Sequence, residues 1–318
     1  MNPPLKLTPA ILNYLSSIGE QLGAINTSYL QVPRAELRKS NRIKTIQASL
    51  AIEGNNLSEE QVTAILENKK VLAPAKDIRE VKNAIEVYEK LNDWKVFRLP
   101  SFLKAHGLLM NGLIPSAGKL RTGAAGIIKA GGLAHLAPPA KLLGSLVRDL
   151  FSYLKNGDQP LLLKSCVFHY EIEFIHPFND GNGKMGRLWQ TLILMKYNPV
   201  FAYLPIESII KKKQGAYYKA LSHSDKAGEC SQFVEFMLSA ISMALNEMLE
   251  ERQPVLTAQS RVELFQEKIG KINFTRKDYL EQYKNISSAT ASRDLRAAVE
   301  AGLLIIKGDK RTARYRFK

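Results

Sequence analysis

Apolar residues recur every three to four positions along most of the chain, and that spacing predicts a mainly helical protein. Leu37, Ile43, Ile46, Leu50 and Ile52 among polar neighbours predict a helix over Ala35–Glu53. Gly54-Asn55-Asn56 ends it as a glycine C-cap. Ser58-Glu59-Glu60-Gln61 then forms a capping box that opens a helix to about Asn68. Val81, Ile85, Tyr88 and Leu91 mark a helix over Ile78–Leu91. Similar patterns predict helices at Ala10–Leu22 (followed by a loop to Pro33), Phe102–Leu109, Leu142–Leu154, Gln159–Phe174, Lys184–Lys196, Ser208–Ser222 and Gln232–Glu251.

Two stretches break the helical pattern. Ala124–His135 is rich in small and β-branched residues and flanked by glycine, which suits a short hairpin. Beyond a boundary at Pro254, helices over Ala258–Ile269, Thr275–Tyr283 and Ser288–Ala301 precede two strand-like runs, Leu303–Lys307 and Thr312–Phe317, turned by Gly308-Asp309. Three helices and a two-stranded wing is the order of a winged helix-turn-helix.

Composition narrows the class. The 318 residues carry 45% hydrophobic and 24% charged side chains, which fits a globular protein large enough for two or three domains. Cys166 and Cys230 are too few for a disulfide scaffold, and neither a signal peptide nor an apolar run of membrane-spanning length occurs. The expectation is a cytoplasmic protein with no membrane association. A net charge of +15 invites acidic partners or nucleic acid, and residues 255–318 hold 14 Lys/Arg against 7 Asp/Glu.

The chemistry concentrates in His176-Pro-Phe-Asn-Asp-Gly-Asn-Gly-Lys-Met-Gly-Arg187. Gly181-Asn182-Gly183 lets backbone amides converge on an anion, and a helix starting near Gly183 adds its positive end. Lys184 and Arg187 would share one face of its first turn. Asp180 is suited to magnesium, and His176 to taking a proton near neutral pH. His106, His135, His169 and His223 show no metal-ligand spacing, and packing or hydrogen-bonding roles are expected for them.

This motif resembles the signature of the Fic family, His-Pro-Phe-x-Asp/Glu-Gly-Asn-Gly-Arg-x-x-Arg. The likeness extends to His169 and Glu173-x-Ile175 before it, to Gly118–Arg121, and to Tyr217-Tyr218-Lys219-Ala220-Leu221. The resemblance implies a Fic-fold helical core over 90–252 with a hairpin flap, after an N-terminal helical segment, 1–89, and before the winged-helix unit, 255–318. It also implies transfer of AMP from Mg-ATP to a Ser, Thr or Tyr hydroxyl of a protein. His176 would be the base, Asp180 would hold Mg2+, and Gly181, Asn182 and Gly183 would cradle phosphate. Lys184 and Arg187 would meet the outer phosphates, Tyr217 and Tyr218 would border the base, and Phe178 would pack inward.

Lys184 departs from the family pattern. It keeps the charge of the usual arginine and loses the planar fork. Ser49-Leu-Ala-Ile-Glu53-Gly54 resembles the family's inhibitory motif, which implies that Glu53, stacked on Ser49 by a helical turn, neutralises Arg187. Near a helix C-terminus such a carboxylate needs a compensating cation. The Ala124–His135 flap would pair with a substrate backbone. Self-modification, a homodimer, and DNA contact through residues 288–316 (Ser288, Thr290, Ser292, Arg293, Arg296, Lys310, Arg311, Arg314, Arg316) complete the partners expected. A phosphotransferase, a deAMPylase, or a DNA-binding regulator with a nucleotide-sensing core are the alternatives.

Overall fold

Helices α1 (Pro9–Thr27), α2 (Ala35–Ile52), α3 (Glu59–Leu66), α4 (Ala75–Glu89) and α5 (Leu99–Leu109) come first, then an antiparallel hairpin of β1 (Gly126–Lys129) and β2 (Gly132–Leu136). Helices α6 (Ala140–Asn156), α7 (Leu161–Ile175) and α8 (Asn182–Tyr197) follow, then a 3-10 turn (Pro199–Tyr203), α9 (Ile206–Lys212), α10 (Gln214–Ala227) and α11 (Ser231–Glu251). The computed structural model describes residues 3–27, 35–129, 132–251, 258–283, 286–308 and 313–318. Pro33, Pro254, Asp309, Lys310 and Arg311 therefore lie outside the described residues, as does the side chain of His135.

Two compact units divide the chain, Met1–Leu249 and Glu250–Lys318. At the centre of the first, α7 and α8 are buried on nearly every face, and polar side chains buried there are paired, His169 with Gln190 and Lys184 with Glu80 among them. Phe102, Phe151, Phe168, Phe178 and Trp189 interlock between them and α5 and α6, and the Trp189 indole donates to Val96 O at 3.0 Å. The N-terminal helices share this core. Gln21 Nε2 donates to Asn246 Oδ1 (2.7 Å) on α11, and Lys211 Nζ on α9 donates to Gln47 Oε1 (2.9 Å) on α2.

Local signals act where the sequence placed them. Ser58 caps α3, with Gln61 reaching back to its amide, and Gly54 ends the α2 turn at φ +91°. The single helix expected over Ser208–Ser222 is instead two, α9 and α10, parted at the exposed Lys213. The break lets Ile206, Ile209 and Ile210 pack toward α2 while Tyr217 and Leu221 bury in another direction. A uniform apolar spacing cannot report that break.

In the second unit α12 (Ala258–Ile269), α13 (Arg276–Gln282) and α14 (Ser288–Glu300) precede an antiparallel ribbon, β3 (Leu304–Lys307) with β4 (Arg314–Phe317). Phe265, Phe274, Tyr279, Leu295 and Phe317 lie in its core, beside an Arg261–Asp294 pair at 2.6 Å. Among the described residues no helix is long and apolar enough to cross a membrane.

Candidate active site

α7 ends at His176, which adopts a left-handed conformation (φ 49°, ψ 60°) at the helix C-cap. A non-glycine residue there is strained by roughly 1–2 kcal/mol, and neighbouring contacts must hold it. Arg121 does so. Its guanidinium donates to four backbone carbonyls, those of His176 (2.7 Å), Gly123 (2.7 Å), Pro138 (2.6 Å) and Ile175 (3.3 Å). Its own amide donates to Pro177 O at 2.9 Å. One buried side chain thus ties the His176 loop to both ends of the hairpin segment.

The loop between α7 and α8 is held from inside. Asn182 accepts the Phe178 amide and donates to the Phe178 carbonyl, both at 2.9 Å, so its side chain is a loop staple. Phe178 is fully buried and stacks on His106 with ring centroids 3.6 Å apart. The Gly118 amide donates to His106 Nδ1 at 2.9 Å, so Nε2 carries the proton that it donates to Asp180 O at 3.0 Å. Burial lowers the His106 pKa, which keeps that neutral tautomer.

Asp180 is exposed, with Oδ1 accepting the Gly181 amide at 2.6 Å. Gly181 follows at φ 83°, a left-handed position that favours glycine, and caps α8. The first α8 bond runs from Met185 N to Gly181 O, so the amides of Asn182, Gly183 and Lys184 have no intrahelical acceptor, an arrangement suited to an anion. An added Cβ at Gly183 would displace Glu53 Oε1 and stand 3.0 Å from Arg187 Nη1 and Glu173 Oε1.

Arg187 is the hub. Its Nη2 donates to Glu53 Oε1 at 2.8 Å and to Ser49 O at 3.0 Å, and its Nε donates to Ser49 Oγ at 3.0 Å. Burial opposes its charge, yet Glu53, Tyr217 and Glu173 together hold its pKa above the usual arginine value. Nη1 is buried without a hydrogen bond among the described residues and stands against Gly183.

Beneath it, His169 Nε2 meets the Tyr217 hydroxyl at 3.1 Å, and that hydroxyl donates to Glu173 Oε1 at 2.9 Å. Burial, with Arg187 nearby, pushes His169 down to about 3, so it is a neutral packing histidine. Tyr217 is enclosed, whereas Tyr218 is half-buried and donates to Ile52 O at 3.3 Å, at the end of α2. Of the pair, Tyr218 is the one that can face a ligand.

Lys184 is the departure that the motif alone could not resolve. Its Nζ pairs with Glu80 Oε1 on α4 at 3.0 Å, out of solvent, and so points at a carboxylate. Arg121 and Glu80 are the residues that sequence reasoning undervalued. Arg121 stood in a recognised segment without a role, and Glu80 carried no signal.

Known proteins resemble this chain in sequence and in fold. The sequence profile of the Fic/DOC family matches residues 97–194. The crystal structure of a Fic family protein from Desulfovibrio desulfuricans G20 covers 100% of this chain and 98% of its own, at 40% identity and a TM-score of 0.77. The protein adenylyltransferase fic-1 of Caenorhabditis briggsae is 27% identical over 236 residues, 66% of this chain and 44% of the relative. The solved Fic-1 of C. elegans, at 20% identity and a TM-score of 0.62 over 76% of this chain and 72% of its own, shares the fold. The chain belongs to the Fic family. It spans about half the length of the curated adenylyltransferases that it matches.

Proposed function

We propose that the protein transfers AMP from ATP to a Ser, Thr or Tyr hydroxyl of a protein, itself included, and that Glu53 restrains it. The observation that carries this reading is the Arg187 guanidinium, shared between Ser49 and Glu53 while its Nη1, without a hydrogen bond among the described residues, stands beside Gly183. A buried cation beside converging amides is built for phosphate. A carboxylate on that cation takes the place of a phosphate oxygen.

In the transfer, His176 would accept the hydroxyl proton as its oxygen attacks the α-phosphorus, and the bond to the pyrophosphate oxygen would break. The amides of Asn182, Gly183 and Lys184 would take charge developing on the phosphates. With Glu53 on Arg187, the terminal phosphate lacks its cation and the α-phosphorus is out of line with the attacking oxygen. The β1–β2 hairpin, tied through Arg121 to the His176 loop, would add the target segment as a strand.

Among the described residues no group of three or more His, Cys, Asp or Glu side chains could enclose a metal. One exposed carboxylate completed by substrate phosphates nevertheless suits magnesium. Asp180 would hold it, and the ion would neutralise phosphate charge. The curated relatives named protein adenylyltransferase support the same reaction. His176→Ala tests the assignment: transfer should vanish while ATP binding persists. Transfer undiminished by the substitution contradicts the role of His176.

A second reading concerns α14 and the ribbon. Ser288, Arg293, Arg314 and Arg316 are exposed while Asp294 is buried on Arg261, leaving a basic outer face suited to duplex DNA.

A further inference from the structure

The two cations that begin α8 are both occupied by carboxylates. Arg187 meets Glu53, and Lys184 Nζ lies 3.0 Å from Glu80 Oε1, with side-chain exposures of 6% and 8% in the second pair. Glu80 Oε2 accepts Asn55 Nδ2 at 3.0 Å. Asn55 also donates to Asp77 O (3.2 Å) and accepts the Leu57 amide (3.1 Å). Asn55 stands two residues past Glu53, across the left-handed Gly54. The turn that presents Glu53 is therefore held twice by α8: directly through Arg187, and indirectly through Asn55, Glu80 and Lys184.

We infer that Glu80 is a positioning residue that withholds Lys184 from the nucleotide's phosphates and pins the turn carrying Glu53. The inference rests on the nucleotide reading of the site and adds a second carboxylate to it. Parting a buried ion pair strands two desolvated charges, so Lys184 leaves Glu80 only for another anion. A triphosphate at the amino end of α8 is such an anion. Glu80, once left, retains its bond from Asn55, so a rearrangement that compensates its charge moves the Asn55 turn. Recruitment of Lys184 and withdrawal of Glu53 are then one event. A lysine suits this better than the family's arginine, because a point charge on a flexible stem can change partners, while a planar fork holds its acceptor in two bonds.

The test is calorimetric titration of Mg-ATP into the full chain at several salt concentrations. Wild type is compared with Glu53→Gly, Glu80→Gln, and Glu80→Gln combined with Lys184→Met. Glutamine is isosteric and still accepts from Lys184, and thermal melting checks each fold. Glu80→Gln should tighten ATP by roughly 3–10-fold and steepen the salt dependence, as one added cation–phosphate contact would. Adding Lys184→Met should remove the gain. Unchanged or weaker binding in Glu80→Gln overturns the inference, and so does a gain that survives Lys184→Met, which would mean only looser packing.

If Glu80→Gln melts below the assay temperature, Asn55→Ala takes its place. It cuts the tie to the Glu53 turn and should raise self-modification; no rise overturns the inference. ATP binding by Glu53→Gly beside an inert Glu80→Gln overturns this inference alone. No ATP binding by Glu53→Gly overturns the nucleotide reading as well.

Discussion

Glu53 Oε1 and Arg187 Nη2 lie 2.8 Å apart, joining the end of α2 to the first turns of α8 across 134 residues of sequence. The guanidinium is 1% exposed and the glutamate side chain 31%, so the cation is fixed and the carboxylate sits at the rim. Such a pair can open from one side. Its energy is modest, because the exposed partner is partly screened. Its effect on catalysis comes from the position that it fills.

Replacing Glu53 by glycine should therefore raise AMP transfer by at least about tenfold, the effect of some ~1.4 kcal/mol at the transition state. The melting temperature should fall only slightly. Incorporation from ATP labelled at the α-phosphate, with differential scanning fluorimetry alongside, measures both. Equal incorporation by wild type and variant would sink the inhibitory role.

His176→Ala in the Glu53→Gly background should lower transfer by about 100-fold or more, the usual contribution of a positioned base. Titration calorimetry should show ATP affinity within a factor of about three of the parent, since the phosphate contacts assigned above lie on other residues.

Arg121→Ala leaves four backbone carbonyls without their donor. Three of these contacts are only partly buried, so water replaces some of the lost donors, and at about 1–3 kcal/mol for each acceptor left unsatisfied urea unfolding should report a loss of roughly 2–4 kcal/mol. Transfer should fall further than ATP binding, because His176 loses its fixed backbone while the start of α8 does not. Equal losses would assign Arg121 to general stability.

Glu207 supplies a pH dependence. Burial raises its carboxyl from 4.5 to about 7, against opposing contacts from its own helix, Arg187, Thr191 and Thr45. Tyr88 faces it from α4. Between those values the folded chain keeps a proton that the unfolded chain has released, so stability from this group falls as pH rises toward 7. Glu207→Gln should stabilise by about 1–3 kcal/mol at pH 8 and by almost nothing near pH 4.5, in parallel denaturant titrations. A gain that is equal at both pH values would contradict the assignment.

For the second unit, fluorescence anisotropy with random duplex DNA should give an affinity that falls steeply with salt. Removing one phosphate-facing cation, as in Arg293→Ala or Arg316→Ala, should reduce the logarithmic slope by about one. Binding that is indifferent to salt, or none at low salt, removes DNA as its partner.

Much of this site was legible in the chain because its signals are local. The capping box at Ser58, the glycine stop at Gly54, the hairpin near Gly126–Leu136 and the motif from His176 to Arg187 each depend on a few adjacent residues. Resemblance to the family carried the long-range pairing of Glu53 with Arg187. Nothing local marks Glu80 as the partner of Lys184, since its position on α4 reads as an ordinary helical glutamate until three elements pack together. The break at Lys213 was hidden for a related reason: helical apolar spacing continues across it.

The most direct measurement is the intact mass of the Glu53→Gly protein after incubation with Mg-ATP, followed by mapping of the modified residue. An increase by one adenylate on a hydroxyl side chain, absent when His176→Ala is added, is the expected result. An increase by one phosphate, or no increase in a folded protein that binds ATP, would contradict AMP transfer as the function of this site.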